Sequence, residues 1–378
     1  MKNSISQSGY LYGFRQVCLL LFLALSFTSN AFTQNGKLVQ EKIHGASLEK
    51  NVTGESADRS VAIYLPPSYD TSPDKRYPVV YLLHGIGDTE KEFTVAWRNQ
   101  TEAWGTTEGL MNSGVTEGRF GEMIIVMPDE RTKAFGSFYV NSSVTGNWED
   151  FTARDLVNYI DKKYRTIAKP ESRGIAGHSM GGYGAITLGM KHPEVFSVVY
   201  GMNPAIISWS KDLTPGNSAF SNVLAAKSFD ELLPKGIYSV GVVTLAQAFS
   251  PNPNRPPFFA DFPFNDVGGK LQPAEPAFSR WEENFPVNMV KKYRANLLKL
   301  RGLRFDSGYE DEFLFIPPNC RALSAELSGN GIEHIFEEYN GDHRNRMWGR
   351  TGRIYTEVLP YFWLLLESQH KRLGLLNN

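Results

Sequence analysis

Gly177-His178-Ser179-Met180-Gly181-Gly182 follows a short apolar run, Gly174-Ile175-Ala176, and precedes a helix-like run over residues 183–191. That order reads as strand, sharp turn and helix, with a serine at the apex. Glycine two residues before and two after Ser179 lets the backbone fold tightly and forces the serine into a strained, exposed position. The hydroxyl then stands clear of the sheet edge. The N–H of Met180 faces the same space at a helix N-terminus, where developing negative charge is stabilised. A bare glycine-flanked serine is common. In the strand-turn-helix setting it predicts a nucleophile, against the alternative of a plain glycine-rich turn.

Working outward, apolar runs and helical spacings alternate. Residues 59–65 alternate as a strand and end at Pro66-Pro67. Residues 77–83 and 122–127 are nearly continuous apolar runs, as expected for strands buried on both faces. Residues 151–164 carry Leu156, Val157, Ile160 and Tyr164 at helical spacing. Further strands are predicted at 195–200, 300–305 and 334–339, with helices near 319–329 and 353–367. Strand-helix alternation predicts an α/β fold: a mostly parallel, doubly wound sheet with helices on both faces. Residues 204–297 break the rhythm. Within them, 204–286 hold 11 of the 21 prolines, and Ser250-Pro251-Asn252-Pro253-Asn254-Arg255-Pro256-Pro257 fits neither a regular helix nor a central strand. Phe249, Phe258, Phe259, Phe262, Phe264, Trp281 and Phe285 flank that stretch. An insertion on the side where the elbow opens predicts a cap over the site. The alternative is a surface loop whose aromatics pack into a small core of their own.

Composition narrows the class. The chain has 378 residues, 42% hydrophobic and 13% aromatic, ample for a large core. The net charge of -1 becomes -3 without residues 1–31, which hold Lys2 and Arg15 and no acid. No basic block suggests a nucleic-acid partner. Residues 17–27 are apolar, too short to span a bilayer, and Ser29-Asn30-Ala31 offers small residues at a cleavage site. A signal peptide over 1–31 is expected, with residues 32–378 forming the hydrolase domain. The mature protein is then secreted or periplasmic, without stable membrane association. The alternative is an uncleaved anchor. Cys18 lies within the apolar run, so cleavage would leave Cys320 alone and no internal disulfide.

A serine hydroxyl needs a base to take its proton. Of seven histidines, only His334, His343 and His370 fall late enough for the order serine, acid, histidine. His334 opens a strand and His370 sits at the C-terminus. His343 lies in the turn-rich Asn340-Gly341-Asp342-His343-Arg344, at the carboxyl edge of the sheet, where ligands meet open parallel sheets. The acid should leave the preceding strand. Asp306-Ser307-Gly308-Tyr309-Glu310-Asp311-Glu312 offers four carboxylates, and a short loop past Gly308 favours Asp311 over Asp306 and Glu310. For the oxyanion, the N–H of Ile86 in His84-Gly85-Ile86-Gly87 joins that of Met180. His178 is read as structural. No metal or other cofactor is expected, since no spacing such as H-E-x-x-H occurs.

The segments Leu83-His84-Gly85-Ile86-Gly87, Trp148-Glu149-Asp150-Phe151, Asp161-Lys162-Lys163-Tyr164-Arg165, the elbow, Gly308-Tyr309-Glu310-Asp311 and Gly341-Asp342-His343 resemble the esterase D-like family of α/β hydrolases. That family includes feruloyl and acetylxylan esterases, S-formylglutathione hydrolases and mycolyltransferases. The resemblance covers about residues 55–203 and 298–365. It implies Ser179, Asp311 and His343 as a triad, with Ile86 and Met180 as oxyanion donors. It stops at the 204–297 insertion, so the family's substrates transfer poorly. The expected function is a secreted serine carboxylic-ester hydrolase acting on a small-molecule or polysaccharide-linked ester, feruloyl or acetyl. An acyltransferase with the same triad and a non-catalytic carbohydrate-binding protein are the rivals. An export signal argues against a cytosolic S-formylglutathione hydrolase. Phe258 and Phe259 of the insertion, with Trp348 from the other side, are expected to wall an aromatic substrate pocket.

Overall fold

Strands of alternating or continuous apolar residues assemble into one eight-stranded sheet in a computed structural model that describes residues 35–95 and 105–371. The expected signal segment, 1–31, lies outside the described residues. The sheet strands are β1 (Lys37–His44), β2 (Asp58–Leu65), β3 (Val79–Leu83), β4 (Ile124–Pro128), β5 (Arg173–His178), β6 (Val198–Met202), β7 (Gly302–Gly308) and β8 (Ile335–Tyr339). They lie in the order β1-β2-β4-β3-β5-β6-β7-β8. β2 runs antiparallel to β1 and β4, and the remaining pairs are parallel. This is the mostly parallel, helix-flanked sheet of the α/β-hydrolase fold.

Period-two alternation divides the core. Val79, Tyr81 and Leu83 of β3, with Ile124 and Val126 of β4, enter one apolar layer. Val80, Leu82, Ile125 and Met127 enter the other. Helices α1 (Thr107–Thr116) and α9 (Leu359–Lys371) cover the second layer, through Leu110, Met111 and Phe362. The first layer is covered by α2 (Val157–Lys163), α3 (Met180–Lys191) and α8 (Ile316–Gly329). Helix α8 begins three residues earlier than its spacing suggests, because Pro317 and Pro318 occupy its first turn, where a missing N–H costs nothing.

Residues 204–297 leave the sheet between β6 and β7. They form α4 (Ser218–Ala225), α5 (Ile237–Phe249), α6 (Ala277–Glu283), α7 (Pro286–Lys292) and a hairpin of Phe264–Val267 with Lys270–Pro273. Trp209 stacks on Phe278 and Trp281 at ring separations of 5.2 and 5.6 Å, and Phe264 and Phe285 close around it. Trp281 donates to Ser250 Oγ at 2.9 Å. These aromatics therefore form a small core of the insertion. Helix α5 is buried over most of its length and docks on the loops after β4. Thr244 Oγ1 donates to Ala134 O, and Ser142 Oγ donates to Gln247 O at 2.5 Å.

Candidate active site

β5 ends at His178, and α3 begins at Met180. Ser179 between them has φ +56° and ψ −116°, a left-handed conformation that side chains rarely adopt. Its backbone is held on three sides. Its N–H donates to Met202 O at 3.0 Å, and its carbonyl accepts from Tyr183 N and Ala205 N at 3.0 and 2.9 Å. The glycine at 181 is required by close approach: a Cβ there would lie 2.0 Å from Leu83 O. The strained backbone is thus over-determined by its neighbours, and Ser179 lines a pocket beyond the end of β5.

Asp311 follows β7 by three residues and His343 follows β8 by four. Asp311 Oδ2 lies 2.7 Å from His343 Nδ1, and Asp311 Oδ1 accepts from Phe313 N at 2.8 Å. That pairing places the His343 proton on Nδ1 and leaves Nε2 as the acceptor. His343 is brought beside the elbow. Its ring centroid is 4.7 Å from that of His178, and its carbonyl accepts from His178 Nε2 at 2.9 Å and Asn203 Nδ2 at 3.1 Å. No described residue is hydrogen-bonded to the Ser179 hydroxyl, so the link to Nε2 is open. Such links are often long until substrate draws them closed.

Electrostatics favour a neutral imidazole. Burial first, and the positive His178 second, hold His343 well below the usual histidine range. Burial also pushes the Asp311 carboxyl up, opposed by the Phe313 N–H and by His178. Among the other late candidates, Asp306 is buried within β7. It accepts from Arg353 Nε and Tyr200 OH, both at 2.7 Å, and does not reach His343. Glu312 accepts from the backbone N–H of His343 at 3.2 Å. His334 pairs with Ser324 Oγ at 2.8 Å, away from the elbow.

Ile86 and Met180 both border a small pocket at Ser179 of about 60 Å³, open to solvent. Its walls are apolar. They come from Phe138, from Ala205 and Ile207, from Ile237, Val242 and Leu245 of α5, and from Phe313, Phe315 and Ile316. Gly85 packs closely on the elbow: a Cβ there would lie 3.3 Å from Ser179 Cβ, a tight contact. Among the described residues, no cluster of three or more His, Cys, Asp or Glu is arranged to hold a metal ion.

The expected aromatic wall does not form from the residues assigned to it. Phe258 is buried against Phe262 at 5.7 Å, and its carbonyl accepts from Gln247 Nε2. Phe259 neighbours it outside the cavity lining, and Trp348 packs on Phe93 at 5.6 Å in the opposite layer. The proline-rich turn folds its rings inward to cover the insertion's own apolar surface. The wall comes instead from Phe138, Phe313 and Phe315 and from α5, whose apolar sequence shows no amphipathic stripe to mark it. Glu92 and Asn203 were also not singled out in sequence. The only trace of Asn203 is its place between a strand and Pro204. Glu92 lies seven residues after Gly85 in an unremarkable acidic run.

A family profile described as "Putative esterase" matches residues 55–351. An esterase of Mycobacterium tuberculosis is 37% identical over 133 residues, 35% of this chain and 26% of that protein. An endo-1,4-beta-xylanase/feruloyl esterase of Xylanibacter ruminicola is 28% identical over 158 residues, 40% of this chain and 21% of that protein. The chain thus spans about a quarter or less of the length of these two relatives. Among solved structures, a ferulic acid esterase superposes with TM-score 0.59 at 22% identity, covering 88% of this chain and 99% of that one. That likeness establishes the α/β-hydrolase fold. The profile spans most of the 378 residues, and the chain belongs to the Putative esterase family.

Proposed function

We propose that this protein is a serine carboxylic-ester hydrolase with Ser179 as nucleophile, His343 as general base and Asp311 as the carboxylate that orients it. The 2.7 Å pairing of Asp311 with His343 Nδ1, beside a serine held in a left-handed turn, carries this reading. His343 Nε2 takes the Ser179 proton as Oγ attacks the ester carbonyl carbon. The carbonyl oxygen becomes an oxyanion facing the N–H groups of Ile86 and Met180. The imidazolium then protonates the departing alcohol, and an acyl-enzyme remains. Water attacks that ester, giving its proton to His343, which passes it to Ser179 Oγ as the acyl–oxygen bond breaks and the acid leaves.

The apolar cavity receives the acyl group. Its aromatic faces from Phe138, Phe313 and Phe315 suit a ring such as a feruloyl group, and a small acetyl group also fits. Relatives named as feruloyl esterases support that substrate class. The α5 segment of residues 204–297 acts as the cap, and residues 1–31 act as an export signal. Fluorophosphonate treatment followed by peptide mass mapping tests the central assignment. The adduct belongs on Ser179, and Ser179→Ala should be almost inactive. An adduct elsewhere, or an active Ser179→Ala, would end the proposal.

A further inference from the structure

Directly behind Ser179 lie two buried groups that this mechanism does not use. The side chains of His178 and Glu92 are 1% and 2% exposed, and His178 Nδ1 lies 2.6 Å from Glu92 Oε1. His178 Nε2 lies 2.9 Å from the carbonyl oxygen of His343. Both partners accept, so both ring nitrogens donate and the ring is an imidazolium. The other Glu92 oxygen accepts from Gly85 N at 2.6 Å. One ion pair therefore grips the backbone of two loops, the one that carries Ile86 and the one that carries His343.

The grip on the Ile86 loop has a direction. His84 Nε2 accepts from Glu130 N at 2.8 Å, so its proton is on Nδ1, which donates to Gly85 O at 2.8 Å. Gly85 O and Ile86 N–H belong to one planar trans peptide and point opposite ways. Holding that oxygen, and the Gly85 N–H one peptide earlier, fixes where the Ile86 N–H points. Stability alone does not call for such a device. A well-packed apolar pair of similar volume commonly stabilises a core as well as a buried ion pair does.

We infer that Glu92 and His178 are positioning residues that lock the Ile86 N–H and the His343 imidazole in register about Ser179. This rests on the assignment of Ser179 and His343 above. The groups facing the His343 ring and backbone are Asp311, Glu312, His178, Glu92 and Arg344. Of these, His178 carries its charge on a ring centred 4.7 Å away. Its positive charge disfavours a proton on either member of the His343–Asp311 pair.

The test uses the full-length protein and p-nitrophenyl acetate, with active sites counted by fluorophosphonate titration. Glu92→Gln and His178→Gln should each lower kcat about 10–100-fold per titrated site, a part of the cost of losing an oxyanion donor outright. KM should stay nearly constant, because the lost contacts act on the transition state. In His178→Gln the acidic limb of the pH profile should also move up by about one unit. A merely structural pair would instead lower the titrated fraction, with kcat per site and the limb unchanged, and that result overturns the inference. If neither glutamine variant folds, Glu92→Asp carries the test. It keeps the charge but withdraws the carboxylate, so a lowered kcat at constant KM supports the inference and a wild-type kcat overturns it. Ser179→Ala separates the two levels. An active Ser179→Ala removes the serine assignment itself, whereas an inactive one beside normal clamp variants removes only the clamp.

Discussion

Asp311 and Asp306 lie five residues apart, both buried, and their partners assign them opposite work. Asp311 faces an imidazole, and Asp306 faces the Arg353 guanidinium. Asp311→Asn should lower kcat by roughly 10³–10⁴ with folding intact, the scale seen when an orienting carboxylate is lost. Asp306→Asn should instead cost about 3 kcal/mol of stability, because it breaks a buried pair, while kcat per folded molecule stays close to wild type. Urea unfolding and steady-state kinetics on both variants check this. The pH profile follows from the same residues. In the proposed mechanism the active form has a neutral His343 and an ionised Asp311, so one added proton inactivates the pair whichever member takes it. Burial pushes the Asp311 carboxyl up to about 7. kcat/KM should therefore be nearly full above about pH 8, half-maximal near pH 7, and fall with unit slope below that. A flat profile down to pH 4 would contradict the assignment. Chain order and turn chemistry made the meeting of Asp311 with His343, and the elbow at Ser179, legible in sequence. Glu92 was not, because its meaning depends on meeting His178, 86 residues away, in a space no periodicity describes.

Elements were legible where one physical cause dominated. The run at Val79–Leu83 is buried on both faces, so its continuous apolar character named it as a central strand. The elbow was legible because few backbones tolerate that glycine pattern. Helix α5 was not, because burial on nearly all sides erased the polar stripe that would reveal its period. Its placement gives a further prediction. Gly241 borders the cavity, and a Cβ there would meet only Ile86 Cδ1, at 4.0 Å. Gly241→Leu should fold, since leucine favours a helix over glycine by about 1 kcal/mol. Its side chain should fill the acyl space. kcat/KM for methyl ferulate should then fall about tenfold or more relative to p-nitrophenyl acetate, the scale of steric discrimination in an apolar pocket. An unchanged ratio would move the acyl group out of this cavity.

At the scale of the whole molecule, one sheet carries the proposed triad and one insertion supplies much of the cavity wall. The described residues contain no helix long and apolar enough to cross a membrane. If residues 1–31 direct export, N-terminal sequencing of the protein recovered outside the cytoplasm should begin close to Phe32. An intact Met1 on such material would exclude cleavage. Fold class was readable at this scale because strand-helix alternation is a property of the entire chain. The insertion's interior was not, because its aromatics pack by shape, as the stack of Trp209, Phe278 and Trp281 shows. The insertion enters and leaves between adjacent strands β6 and β7. Its 204–297 loop can therefore change in length and sequence while Ser179, Asp311 and His343 keep their anchorage on β5, β7 and β8. Under the proposed function, the fold thus separates the part that selects the ester from the part that cleaves it, and a change confined to one loop can alter the first while leaving the second in place.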